Sequence, residues 1–300
     1  MAAKTTSVEN RFRPNGRNWP LMYAFLIACG GSTKTTSATS LAVTNALRGY
    51  KGTIWDLDAN LSTSLVCGYD EKALEGRKNV YDLVTGRATL DEIVVPARYR
   101  IGDGYEDDAF MEIPNLNLVP GSIELAQADT YIALDADAQD WFKEVLESYD
   151  GDDEIWYLDF PASYGRMVYS VARMLDENDS VVPSVRADPK DIAMLPKLLE
   201  ELVRIREKNR NRRSVPGRPT VNHLLLTGTP TATYSEAAPR RAKEIAEKKY
   251  GHWLLPFVRY SADAKKIYED TCPLPVILPN SYPAEDYRKV STSLGYTDRT

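Results

Sequence analysis

Short apolar runs alternate along this chain with longer stretches in which apolar residues recur at helical spacing. Residues 22–29 (MYAFLIAC) form the first apolar run, and it ends on Gly30-Gly31. The following stretch, STKTTSATSLAVTNALRGY, predicts a helix with Leu41, Ala42, Ala46 and Leu47 on one face. A second strand-like run, GTIWDLDA at 52–59, carries acidic residues at its C-terminal end. Two strands bracketing a helix in so short a span imply a parallel βαβ unit. The rhythm continues with apolar runs at 115–122, 154–161, 179–185, 221–228, 252–258 and 275–279, separated mostly by helical stretches such as KDIAMLPKLLEELVRIREKN. The expected fold is α/β, a mostly parallel twisted sheet with helices on both faces. Residues 102–110 and 208–219 read as exposed loops, 1–20 as a flexible extension, and 21–300 as a single domain.

Composition narrows the functional classes. With 300 residues and 43% apolar content the chain can bury a full core. No apolar run is long enough to span a bilayer and the first twenty residues lack an apolar signal core, so a cytoplasmic location is expected. Cys29, Cys67 and Cys272 are widely separated and suggest neither a disulfide framework nor a zinc site. Only His223 and His252 are available as imidazoles, which makes a Ser/His/Asp hydrolase a poor reading. The net charge is -6, yet residues 204–218 (RIREKNRNRRSVPGR) concentrate Lys and Arg against one Glu. A local basic stripe on an acidic protein still attracts phosphate, because nearby charges dominate within a Debye length.

The strongest chemical signal is Gly30-Gly31-Ser32-Thr33-Lys34-Thr35-Thr36, set between a strand and a helix. Backbone N–H groups of such a loop converge with the positive end of the helix to bind phosphate, a lysine reaches the outer phosphates, and a hydroxyl ligates magnesium. Lys34 and Thr35 fit those two roles. The run Asp56-Leu57-Asp58-Ala59-Asn60 ends beside the same loop in a parallel sheet, where open α/β folds gather their ligands. Asp56 and Asp58 alternate with Leu57 and share one side of the strand end, facing a metal or an attacking water. The run Tyr157-Leu158-Asp159-Phe160-Pro161 supplies a lone strand-end carboxylate suited to holding Mg²⁺.

This ordering resembles the ParA/Soj family of partition ATPases, whose deviant Walker A loop reads KGGxGKTT and whose next two motifs read DLDPQGN and IDTPP. The likeness extends over NVYDLVTG at 79–86, NLNLVPGSIELAQAD at 115–129 and LLPFVRYSADAKKIYEDTCPLPV at 254–276, and so covers roughly residues 20–280. The resemblance implies a P-loop ATPase that binds ATP with Mg²⁺. Lys34 would contact the β and γ phosphates, Thr35 and Asp159 would serve the metal with Asp56 nearby, and Asp58 would position the hydrolytic water. Pro256 would lie in an adenine-side loop. The family cycle is implied as well: an ATP-dependent homodimer, sequence-independent DNA binding on the bacterial nucleoid, and a ParB-type adaptor that triggers hydrolysis in plasmid or chromosome partition. Arg210, Arg212, Arg213, Arg240, Arg241, Lys265 and Lys266 are the candidate contacts to DNA phosphates.

Two departures stand out. Cys29 occupies the place of the family's signature lysine, which reaches across the dimer, and Thr33 occupies the place of a glycine. A cysteine supplies no positive charge, and a β-branched residue forced to φ > 0 is strained. Arg166, just after the third motif, is a candidate arginine finger. Two alternatives stay open: positioning of a protein cargo such as a microcompartment over the nucleoid, or a degenerate scaffold that binds nucleotide or DNA without turnover. A membrane-oscillating division ATPase is disfavoured because EDYRKVSTSLGYTDRT has no sustained apolar face. An iron–sulfur relative is disfavoured by the cysteine spacing.

Overall fold

The computed structural model describes residues 11–31, 33–101, 109–135, 137–210, 216–231 and 236–299. Six strands form the main sheet: β1 (Leu21–Phe25), β2 (Gly52–Asp56), β3 (Val95–Ile101), β4 (Ala109–Val119), β5 (Ile155–Asp159) and β6 (Ser180–Val181), in the spatial order β3-β4-β2-β5-β1-β6. All neighbours pair in parallel except the edge pair β3 and β4. A second, two-stranded parallel sheet joins β7 (Ser184–Arg186) to β8 (Leu225–Thr227).

The central strands are apolar on both faces, as strands covered by helices on either side must be. Along β1, Leu21, Tyr23 and Phe25 point into one core and Met22 and Ala24 into the other; β5 divides likewise into Ile155 and Tyr157 against Trp156 and Leu158. The first core is closed by helix α1 (Lys34–Leu47) and by the C-terminal helix Tyr282–Ser293. The second is closed by Trp141–Ser148, Arg166–Ala172 and Leu195–Asn209. Helix α1 is buried around most of its circumference, not on a single stripe, and Leu47, expected on the inner face, is 58% exposed at its end.

Prolines account for where strands expected from apolar runs change form. The run at 179–185 divides at Pro183 into β6, which joins the main sheet, and β7, which joins the second. The run at 252–258 makes an isolated bridge, Leu224 to Leu254, and a second, Thr229 to Arg259, lies just past its end, on the other side of Pro256, which has no N–H to donate to a ladder. The run at 275–279 is a helical turn, Leu274–Ile277, with a proline in its first turn where a missing N–H costs nothing. Strand β3 was not expected; its Arg98 and Arg100 interrupt the apolar pattern, as suits an exposed edge. Of the loop expected at 102–110, Ala109 and Phe110 belong to β4, and 102–108 lie outside the described residues.

The extension expected over 1–20 is anchored from residue 11. Phe12 is buried, and Arg17 binds Asp179 through both terminal nitrogens at 2.6 and 2.8 Å and Asp176 at 2.9 Å. Asp179 in turn accepts from the Met22 amide at 2.9 Å, so this pair fixes the start of β1. Residues 1–10 lie outside the described residues.

Candidate functional site

Strand register brings the acidic motifs together. Phe25 pairs with Asp159, and Asp159 pairs with Asp56, so β1, β5 and β2 end level with one another. The phosphate-loop sequence leaves the end of β1 and enters α1 directly beside the two carboxylates. Gly31 adopts φ +67°, a left-handed conformation that glycine accepts without steric cost.

Asp159 is the hub of this edge. It is almost fully buried, and its Oδ2 accepts from the Thr35 hydroxyl at 2.6 Å and the Thr63 hydroxyl at 2.7 Å. Its Oδ1 is buried with no hydrogen-bond partner. Asp56, fully buried, accepts from the Ser64 amide at 2.8 Å and the Ser64 hydroxyl at 2.7 Å. Desolvation raises both acids, Asp56 to about 7 and Asp159 to about 6, although these hydroxyl donors pull the other way. A buried carboxylate with a free oxygen, tied to a threonine hydroxyl, is a donor set that suits a hard divalent cation sharing its shell with water and phosphate oxygens. The site fits the magnesium that the resemblance implies, with Thr35 and Asp159 as its residues and Asp56 behind them.

The outlying motifs brace these acids. Gly121, within the NLNLVPGS segment, packs so closely on Asp56 that a Cβ there would come within 2.9 Å of its carboxyl carbon, and its amide donates to Ser64 Oγ at 2.9 Å. Asp129, at the end of the longer run NLNLVPGSIELAQAD, accepts from the Met167 amide at 2.9 Å, and a Cβ on Gly165 would collide with its carboxylate. That contact holds the chain after Asp159, where the Tyr164 hydroxyl accepts from the Ala28 amide at 3.3 Å.

Lys34 is buried, and its Nζ donates to the Cys29 carbonyl at 3.2 Å, folding it back over its own loop. Desolvation lowers its pKa, opposed by the fields of Asp159 and Asp58. Asp58 is half-buried and accepts from the Asn60 amide at 3.0 Å, an Asx turn that fixes its carboxylate at the strand end. Thr36 meets the Tyr268 hydroxyl.

Thr33 does adopt the left-handed conformation, φ 68° and ψ 15°. Its hydroxyl lies 3.0 Å from Ser184 Oγ and 2.8 Å from Thr227 Oγ1, and Ser184 continues to Ser37 at 2.7 Å. Glycine offers no such bonds, so the substitution exchanges backbone ease for a hydroxyl tie to β7 and β8. Leu61, at the glycine position of the DLDPQGN pattern, is likewise left-handed at φ 56° and is buried beside Asp56. Cys29 lies at the mouth of the loop, its Sγ 3.3 Å from Asp191 Oδ1.

Other expected residues lie apart. Arg166 is exposed at the start of its helix and lines an open cleft of about 520 Å³ with Asp129, Arg173 and Lys208; no residue of the phosphate loop lines that cleft. Pro256 sits between the two bridges beside β8, in a segment clamped where Arg259 binds Asp286 at 2.8 Å and Glu285 at 2.6 Å. Arg210 follows the helix Leu195–Asn209, Arg240 and Arg241 lie in the helix Ala237–Tyr250, and Lys266 pairs with Asp263 at 3.0 Å. Ser32, Arg212, Arg213 and the Lys265 side chain lie outside what is described. Thr63, Ser64, Gly121, Ser184 and Thr227 were not singled out from sequence; nothing in their local spacing distinguishes them from turn and helix-start residues. Among the described residues no helix is long and apolar enough to cross a membrane.

A family model described as an AAA domain matches residues 22–214, a span that takes in the phosphate loop, both acids and the segments that brace them. The chain belongs to this family of ParA/MinD-type P-loop ATPases. The cell division protein PomZ of Myxococcus xanthus is 25% identical over 264 residues, covering 87% of this chain and 74% of PomZ. In fold, the family member described here is similar to the ATP complex of Cyanothece McdA(D38A), with a TM-score of 0.71 at 14% identity over 93% of this chain and 98% of that one. It is also similar to a putative plasmid partition protein of Borrelia burgdorferi bound to AMPPNP, with a TM-score of 0.67 at 18% identity over 92% and 98% of the two chains.

Proposed function

We propose that this chain is a ParA-type ATPase that binds and hydrolyses Mg-ATP, dimerises on ATP, binds DNA without sequence preference and moves cargo with a ParB-type adaptor in plasmid or chromosome partition. The observation that carries the reading is the convergence of Thr35, Asp159 and Asp56 beside the phosphate loop, with one buried oxygen of Asp159 unpartnered. Magnesium bound with the nucleotide neutralises charge on the phosphates. Lys34 leaves the Cys29 carbonyl to contact the β and γ phosphates, the loop amides cradle them, and Asp58 orients the attacking water from the strand end. Asp159 holds Thr35 in place and Asp56 holds the turn after β2 through Ser64. In this reading the cradle runs from Gly30 to Thr36, and the Pro256 segment borders the base.

Calorimetry with purified protein tests the reading: Mg-ATP should bind, binding should weaken strongly in EDTA, and Lys34→Ala should abolish it. Absence of metal-dependent affinity would sink the proposal and favour a scaffold without turnover. Light scattering with a non-hydrolysable analogue tests the dimer. DNA retention should fall steeply with salt, as expected if Arg210, Arg212, Arg213, Arg240, Arg241, Lys265 and Lys266 contact phosphates. As an arginine finger, Arg166 would leave its cleft to reach the phosphates, and Arg166→Ala would then lower turnover by about 10³-fold or more; unchanged turnover removes it from the mechanism.

That PomZ is a cell division protein and not a partition protein favours a second reading, in which the same ATPase positions a protein cargo such as a microcompartment over the nucleoid. Pull-down with the ATP-bound protein separates the two: a centromere-binding partner supports partition, and a partner without DNA affinity supports cargo positioning.

A further inference from the structure

Cys29 leaves the phosphate loop without the cation expected at its first position, yet a cation stands beside the loop on another element. Arg186 ends β7, and a Cβ on Gly31 would lie 3.8 Å from its Nη2 and 4.0 Å from its Cζ. The guanidinium therefore stands beside the second loop glycine, at the distance where a side chain on that residue would meet it. Its Nε donates to Asp191 Oδ2 at 3.1 Å, and the other oxygen of the same carboxylate accepts from Cys29 Sγ at 3.3 Å. Asp191 is fully buried, whereas the Arg186 side chain is 44% exposed.

The chemistry of this bridge is one-sided. A buried carboxylate requires a cationic or hydrogen-bonding partner, and Asp191 obtains its charge partner from Arg186. Burial and the bond to Asp191 push the Cys29 thiol up, so it donates a hydrogen bond as a neutral group. With Nε engaged by Asp191, both terminal nitrogens keep donors in the planar fork that suits phosphate oxygens. A lysine at position 29 would compete for Asp191; a cysteine leaves that carboxylate to the arginine.

We propose that Arg186 replaces the missing signature lysine as the cation that contacts the outer phosphates of the bound nucleotide, with Asp191 as its positioning residue. This rests on the Mg-ATP reading above. A merely structural Arg186 would neutralise Asp191 and leave nucleotide chemistry untouched, and the two roles separate experimentally.

The test uses the full chain and measures turnover together with affinity for Mg-ATP and Mg-ADP. Arg186→Ala should slow turnover by about 10²-fold or more, in the range of removing one preorganised donor to developing transition-state charge. It should weaken Mg-ATP by about tenfold, the scale of one charge-assisted contact, while Mg-ADP changes by less than about twofold. Restoring charge at the original position, Cys29→Lys in the Arg186→Ala background, should recover turnover to within about tenfold of wild type, since phosphate contacts by lysine and arginine are comparable in charge but not in geometry. Because Asp191 would otherwise be left buried without a cation, the same measurements are made with Asp191→Asn added. Wild-type turnover with unchanged Arg186→Ala overturns the inference alone. So does a folded, slow Arg186→Ala protein that neither Arg186→Lys nor Cys29→Lys improves. A wild-type chain without Mg-ATP affinity overturns the parent reading as well.

Discussion

On the flank of the phosphate loop that faces β2 and β5, Thr35 meets a buried aspartate through a 2.6 Å bond, and two strand-end acids lie in register. On the opposite flank, facing β7 and β8, a threonine stands in left-handed backbone, a cysteine replaces a lysine, and a hydroxyl chain and an arginine–aspartate bridge fill the space. The first flank keeps every residue type that metal and phosphate chemistry require. The second has exchanged two of them and rebuilt the contacts from neighbouring strands. Acid geometry at one strand edge tolerates little substitution because both carboxylates are buried and mutually constrained. A loop's outer flank can be re-braced by whichever side chains the adjacent sheet presents.

Removing the first flank should have the largest effect. Lys34→Ala and Asp159→Asn are each expected to lower ATP turnover by about 10³-fold, roughly 4 kcal/mol of transition-state stabilisation, measured by steady-state phosphate release. Asp159→Asn should at the same time stabilise the nucleotide-free protein at pH 8. With its folded pKa raised to about 6, Asp159 contributes stability below the unfolded value that is lost as pH rises through about 6. The asparagine removes that loss, by about 1 to 3 kcal/mol; melting at pH 8 and pH 4 should show the gain only at the higher pH. Equal gains at both would mean that burial of charge is not the cause.

The hydroxyl ties of the second flank should yield smaller changes, and they should fall on stability. Thr33→Val keeps the left-handed backbone and removes the hydroxyl ties, so chemical denaturation should show a loss of about 1 to 3 kcal/mol. Thr33→Gly relieves the backbone at the same time and should stay within about 1 kcal/mol of wild type. A loss from glycine as large as that from valine would assign the whole effect to the hydroxyl. The smallest effect expected is on pH: cation binding favours ionised Asp159, raised to about 6, so Mg-ATP affinity should rise between pH 5.5 and 7.5 by about fourfold. Calorimetry in buffers of different ionisation heat should register proton release that fades above pH 8.

Much of the first flank was legible in the chain itself. Residue type, spacing and strand order placed Thr35, Asp56 and Asp159 at one edge because a parallel βαβ unit leaves the sequence few alternatives. Proline misled the strand reading at 275–279, where a continuous apolar run serves equally well as a buried helical turn. The braces were illegible for another reason. Ser184, Thr227 and Gly121 act through contacts between segments far apart in the chain, and no local pattern marks a serine that will face a loop 150 residues away. Arg186 and Asp191 belong with them. The two expected roles for Cys29 and Thr33, lost charge and strain, followed from chemistry alone; their compensation required neighbouring strands to be seen.

The anchoring of Arg17 carries a consequence for any shortened version of this chain. Trimming to the apparent start of the domain at residue 21 would remove a guanidinium that is nearly inaccessible to water and strand Asp179, which is fully buried at the head of β1. An orphaned interior anion of that kind destabilises a fold by about 3 to 5 kcal/mol. Truncates that keep residue 11 onward should therefore melt cooperatively like the full chain, while those beginning at residue 21 should unfold from the edge where β1 meets β6.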